Sequence, residues 1–206
     1  MRATLIPFCL LAALSCTGQD ATHRLRAELE RIHDLDQRDR ENIGHYGVGT
    51  LERDSVNAHL MLQDSLNLVR VRTIIDSAGW LGPSEIGTDA SGALFLVIQH
   101  AGLKTQETYL PEARLAVEEG KLQASSLALL EDRIEMRNGR PQIYGSQIEM
   151  KNGIGRLWPI KDEETVNERR AAVGIGPLEE YAAQFGVAWS PPVRKERVLL
   201  LGPAKP

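Results

Sequence analysis

The residue best placed to move a proton near neutral pH is His100, which closes the run Ala93-Leu94-Phe95-Leu96-Val97-Ile98-Gln99-His100. Imidazole is the side chain whose ordinary titration falls in that range, and with a carboxylate to orient it an imidazole acts as general acid or base. Two carboxylates stand where an apolar residue would continue a core pattern. Asp36 completes the series Leu25, Leu29, Ile32, Asp36, and Asp132 lies between Leu130 and Ile134. Either would orient His100 as the general base of a hydrolase-type enzyme, with Asp132 the second catalytic candidate. The competing reading is a histidine satisfied by a backbone carbonyl, because buried polar groups are hydrogen-bonded.

A second constellation runs through Asp132-Arg133 and Tyr144-Gly145-Ser146-Gln147. A carboxylate close to a core needs a cationic or hydrogen-bonding partner, and Arg40, Arg133, Arg169 and Arg170 are the candidates. The span from Arg133 to Gln142 holds a helix end and a turn but no further element, so the two motifs should be neighbours. On a strand Tyr144 and Gln147 face opposite ways unless Gly145 inserts a bulge. Asp36, Arg40, Gln99, Arg133, Tyr144 and Gln147 are therefore the expected binding residues of a polar cleft near a hairpin. The alternative is a structural ion-pair network, which produces the same residue types.

Other chemistries find little support. His33-x-x-Asp36 has a spacing able to share a metal, but there is no His-Glu-x-x-His and no cysteine cluster, so no metal and no cofactor is expected. Gly145-Ser146-Gln147 lacks the second glycine of a nucleophile elbow, which leaves Ser146 a weak nucleophile. With 24 Lys and Arg against 28 Asp and Glu, the net charge is -4 with no basic stripe, and nucleic acid is excluded as a partner.

The elements that must position these residues read as mostly helical. The 206 residues, 42% hydrophobic and 25% charged, suit one soluble globular domain. Helical spacing places Leu25, Leu29, Ile32 and Asp36 on one face. The glycine-bearing stretch 41–57 reads as a loop. A second helix spans about 58–77, with Leu62, Leu66, Val69 and Ile74 inward and Gly79 as its end. Asp89 or Ser91 would cap a third, whose body 93–98 is apolar all round and by period alone fits a buried helix or a buried strand. A fourth, 105–119, is interrupted near Pro111, and a fifth, 126–136, stops at Asn138-Gly139. Lys151-Asn152-Gly153 between β-capable runs predicts a hairpin. Asp162 would cap a helix through Val173, and Pro177 would open another through Phe185. Leu199-Leu200-Leu201, in the Pro-rich tail, reads as an edge strand or loose end. The expected fold class is mainly α with one small β-hairpin (α+β), a single compact helical domain.

The N-terminus has its own chemistry. Met1-Arg2 precedes an apolar run, Ala3 to Leu14, too short to span a bilayer, and then Ala13-Leu14-Ser15-Cys16. This stretch resembles a bacterial lipoprotein signal, in which the cysteine is lipidated and becomes the new N-terminus; the alternative is a free thiol beside an ordinary cleavage site. The expected organisation is a signal peptide over 1–15, a tether over 16–22, a globular domain over 23–189 and a Pro-rich tail over 190–206. Loss of residues 1–15 removes one Arg and no acid, moving the charge from -4 to -5. The mature chain would keep Cys16 alone and form no internal disulfide.

Ile74-Ile75-Asp76-x-x-Gly79-Trp80, Ile98-Gln99-His100, Asp132-Arg133-Ile134, Gln142-Ile143-Tyr144-Gly145-Ser146-Gln147 and Val166-Asn167-Glu168-Arg169-Arg170-Ala171-Ala172-Val173-Gly174-Ile175 follow one another in the order of a bacterial family known as domain of unknown function 6624. The chain resembles that family from about Asp36 to Tyr181. Gly79-Trp80-Leu81 stands where the family has Gly-Trp-Pro, and Tyr-Gly-Ser-Gln where it has Tyr-Gly-Thr-Gln. The resemblance implies no activity. The expectation is a membrane-anchored lipoprotein of the bacterial cell envelope, held through lipidated Cys16, that binds a small molecule, glycan or peptide; the hydrolase is the alternative.

Overall fold

A computed structural model describes residues 9–43, 45–47, 49–151 and 153–192; residues 1–8 of the apolar leader, Asn152 of the expected turn and the triplet 199–201 lie outside that set. The helices are α1 (Cys9–Ile43), α2 (Leu51–Ala78), α3 (Pro83–Ile86), α4 (Thr88–His100), α5 (Leu103–Glu118), α6 (Ala124–Arg137), α7 (Val166–Ala172) and α8 (Leu178–Ala183). Strands β1 (Ile148–Lys151) and β2 (Ile154–Leu157) form one antiparallel pair, so the fold is mainly α with a small hairpin, as the sequence predicts. By its contacts the chain forms two compact units, one ending at Leu130 and one beginning at Glu131, a division that falls within α6.

In the first unit α4 packs against α1, α2, α3 and α5. Its run 93–98 is a helix, with Ala90, Ala93, Leu94, Phe95, Val97 and Ile98 buried. At 13 residues α4 is longer than a strand in a globular protein usually is, and length decides where period did not. The cap is Gly87 rather than Asp89 or Ser91. Asp89 lies in the first turn, and the Ser91 hydroxyl donates to the Leu81 carbonyl at 3.0 Å. The α1 face carries Leu29, Ile32 and Asp36 into the interior with Leu25 half-buried, in line with their spacing. α1 also runs through 16–22, the stretch read as a tether.

Three expectations fail here for identifiable reasons. The loop over 41–57 is shorter, because α1 continues to Ile43 and α2 begins at Leu51. The Thr50 hydroxyl accepts the Arg53 N–H at 3.3 Å, and Glu52 and Asp54 in the first turn are attracted to the positive end of the helix dipole. That turn faces solvent and shows no apolar period to read. On α2 the buried residues are Leu60, Val71, Ile74 and Ile75, whereas Leu62, Leu66 and Val69 are exposed. α2 carries two apolar stripes, and its packing on α1 and α4 selects the other one. Pro111 does not interrupt α5. It lies on the exposed side of the helix, where a proline is better tolerated than against the core.

In the second unit α6 ends at Asn138-Gly139, with Gly139 at φ 71° and the Arg140 N–H returning to the Glu135 carbonyl at 2.9 Å. The hairpin pairs Ile148 with Leu157 and Lys151 with Ile154, a register that leaves the expected two-residue turn. Residues 143–147 are not strand; Gln142 forms an isolated bridge to Ile160. Asp162 does not cap a helix with its side chain. It sits at φ 47° ahead of a 3-10 turn, Glu163–Thr165, that leads into α7. Its carbonyl is taken by Arg169 at 3.2 Å, which fixes the backbone there. Pro177 precedes α8 as expected, although the helix stops at Ala183, short of Phe185.

Candidate functional site

The structure sorts the sequence candidates into two sets, one in each unit. In the first, His100 closes α4 and its Nδ1 lies 3.1 Å from Asp36 Oδ1 on α1. One turn on, Arg40 Nε donates to the same oxygen at 3.0 Å, and its Nη2 reaches both oxygens of Asp64 on α2 at 2.8 and 3.0 Å. Gln37 Nε2 completes the shell of Asp36 at 2.9 Å from Oδ2. Burial pushes the Asp36 carboxyl up, but the hydrogen bonds and charges of His100 and Arg40 outweigh it and hold it below the ordinary carboxylate value. An ionised Asp36 only accepts, so the His100 Nδ1 carries a hydrogen, and Nε2 has no hydrogen-bond partner among the described residues. His100 is 16% exposed and Asp36 2%. Gln99, beside it, is buried: its Nε2 donates to the Leu129 carbonyl at 3.4 Å, and its own carbonyl accepts from Gln106 Nε2 at 2.7 Å. Asp36, Arg40 and His100 are thus brought together, and Asp64 and Gln37 are members that spacing gave no means to find.

In the second unit Asp132, fully buried on α6, accepts three backbone N–H groups. Ile143 and Tyr144 donate to Oδ1 at 2.6 and 2.9 Å, and Ser146 donates to Oδ2 at 2.8 Å. The carbonyls of the same loop go to cations of α7. Arg169 Nε donates to Ile143 O at 2.8 Å, and Arg170 Nη1 donates to Tyr144 O at 2.8 Å and Nε to Gly176 O at 2.6 Å. The Tyr181 hydroxyl donates to Ser146 O at 2.7 Å. Gln142 accepts the Gln147 N–H at 2.7 Å and donates to the carbonyls of Gln147 and Trp158 at 3.1 and 2.8 Å. Gln147 Nε2 in turn donates to the Ser146 hydroxyl at 3.0 Å.

Asp132, Tyr144 and Gln147 therefore meet in one cluster, with contacts to Tyr144 and Gln147 made largely through their backbones. Burial pulls the Arg170 guanidinium below its ordinary value against the pull of Tyr181 and Asp132, and its Cζ stands 5.3 Å from the Tyr181 ring centroid. Burial likewise raises the Tyr181 hydroxyl, while Arg170 and Arg133 act to lower it. Gln142 and Tyr181 escaped sequence reading. Their partners are backbone groups of a loop, which no side-chain pattern announces.

A cleft of about 210 Å³ beside the hairpin is lined by Glu149, Arg156, Leu157, Trp158 and Pro159. Glu149 and Arg156 are cross-strand partners, and the Trp158 indole donates to the Arg140 carbonyl at 2.8 Å. Among the described residues no group of three or more His, Cys, Asp or Glu is arranged to hold a metal ion, and no helix is long and apolar enough to cross a membrane.

No curated protein and no solved structure matches the chain. The family model that does match is the family of unknown function DUF6624, over residues 23–193, which include Asp36, His100, the Asp132 loop and the hairpin cleft; the chain belongs to that family.

Proposed function

We propose that the protein is a cell-envelope binding module, tethered through a lipidated Cys16, that takes a polar glycan or peptide in the hairpin cleft. The observation that carries this reading is the cleft's make-up. One flat aromatic, Trp158, lies with one acid, Glu149, and one base, Arg156, on a hairpin whose neighbouring loop is held at nearly every backbone group. Aromatic faces bind the apolar faces of sugars while flanking charges fix orientation, and a prearranged site spares the ordering cost of binding. A thermal-shift screen of the Cys16→Ser chain against cell-wall glycans and muropeptides tests it. A ligand at about 100 times its Kd raises stability by about 2.7 kcal/mol, and Trp158→Ala should abolish that rise. An unchanged midpoint with every fragment rejects the module.

One observation favours a second reading, a hydrolase-type enzyme. His100 has the carboxylate partner that a general base needs, in Asp36. Hydrolysis of acyl or glycosyl model substrates that is lost in His100→Gln would support it, and its absence would leave the binding module.

A further inference from the structure

α2 shows solvent a second apolar stripe that its own unit does not use. Leu51 is 84% exposed, Leu62 57%, Leu66 57% and Val69 69%. At about 100° per residue, Leu51, Ser55, Ala58, Leu62, Leu66, Val69 and Thr73 fall within about 40° of one line along the helix. All seven are exposed. The order of these residues is nearly symmetric about Leu62. A second α2 laid antiparallel with its dyad at Leu62 would set Leu62 on its own copy, Ala58 on Leu66 and Ser55 on Val69. Each small residue then meets a large one, the arrangement that lets two helices interdigitate.

The flanks have the same symmetry in charge. Glu52 and Arg70 lie about 80° to one side of the stripe, and Asp54 and Arg72 about 80° to the other. An antiparallel dyad keeps each flank on its own side and reverses its direction. It therefore brings Glu52 to Arg70 of the second copy and Asp54 to Arg72 of the second copy, each about 3 Å apart along the axis, and repeats both pairs at the other end. A parallel pairing would oppose like charges. Neither Glu52 nor Asp54 has an ion pair among the described residues. Arg70 is held by Glu28 at 2.8 Å and Arg72 by the Tyr109 hydroxyl at 3.4 Å, and a guanidinium with five donors keeps some for a further carboxylate. The stripe from residue 51 to 73 is about 33 Å long, so the contact would run most of the length of the helix.

We infer that the protein self-associates through α2, as an antiparallel pair of copies crossing at Leu62. Sedimentation of the Cys16→Ser chain, which lacks acyl chains, should show a monomer–dimer equilibrium between about 1 and 100 µM. Leu62→Glu should weaken association by at least about tenfold, with an unchanged far-UV spectrum as the check on folding. Two charge-exchanged chains give the sharper reading. Glu52→Arg with Asp54→Arg, and Arg70→Glu with Arg72→Glu, should each be monomeric alone and should form a mixed dimer when combined. Oxidation should join Ala58→Cys chains to Leu66→Cys chains in preference to joining either to itself. A chain that stays monomeric over this range, a dimer indifferent to Leu62→Glu, self-joining of Ala58→Cys in place of the cross-pair, or an effect of Leu62→Glu on vesicle binding alone would each overturn the inference.

Discussion

Asp36 and Asp132 are both buried carboxylates, and they are satisfied in opposite ways. Asp36 is held by the side chains of His100, Arg40 and Gln37, and its carboxyl is depressed, so the sign of its pH effect follows. A group whose folded value lies below its unfolded value stabilises above the unfolded value, about 3.9, and loses that contribution as pH falls through the folded one. The stability gap between wild type and Asp36→Asn, measured by urea midpoints, should be full above about pH 5 and shrink progressively on acidification below about pH 4. A gap independent of pH would separate Asp36 from the network. Asp132 is held by backbone N–H groups. Asp132→Asn substitutes a donor for one of its acceptors against those donors, and it should cost about 3 kcal/mol. Ligand affinity per folded molecule should stay within about twofold if the cleft is the site and the Asp132 loop its scaffold. A small stability loss with binding abolished would instead put Asp132 in the site.

At the scale of elements, the hairpin and its loop depend on two glycines for different reasons. Gly153 has φ 77° with open space around its missing Cβ, so only the dihedral is at stake. Gly153→Val should cost about 1 to 2 kcal/mol. Gly145 has φ 74°, and a Cβ there would meet Leu178 Cδ1 at 2.9 Å and Ile160 Cδ1 at 3.0 Å. Gly145→Ala should therefore cost more than Gly153→Ala, and urea midpoints of the two alanine variants check the order. Local signals made the hairpin, the end of α6 and the Gly79 end of α2 legible, because turn and cap chemistry is written in adjacent residues. The inward face of α2 was not, because two stripes of similar apolarity share that helix and a neighbouring helix chooses between them. The first turn of α2 and the four-residue α3 carry no period at all. Of the site candidates, the Asp36 position was readable as a carboxylate ending an apolar series. The loop that Asp132 holds was anticipated only as a neighbourhood, since contacts through the main chain leave no trace in side-chain identity.

For the molecule as a whole, the leading question is attachment. Ala13-Leu14-Ser15-Cys16 motivates the expectation that Cys16 carries the lipid; one acyl chain alone holds a protein only marginally, and a lipoprotein cysteine would supply several. Cys16→Ser should move the protein from the membrane fraction to the soluble fraction. Equal retention of mutant and wild type on fractionation would remove the anchor from the account.

The partners of the 143–146 loop are also separated in time. Its amides bind Asp132, 11 to 14 residues earlier in the chain, whereas its carbonyls wait for Arg169 and Arg170, 26 residues later, and for Tyr181, 35 residues later. A chain growing from its N-terminus can secure one edge of the loop long before the other. The amides of Ile143, Tyr144 and Ser146 should accordingly exchange with deuterium as slowly as amides in a helix although they belong to none. A nascent chain halted ahead of Arg169 should hold them less well than the finished protein does.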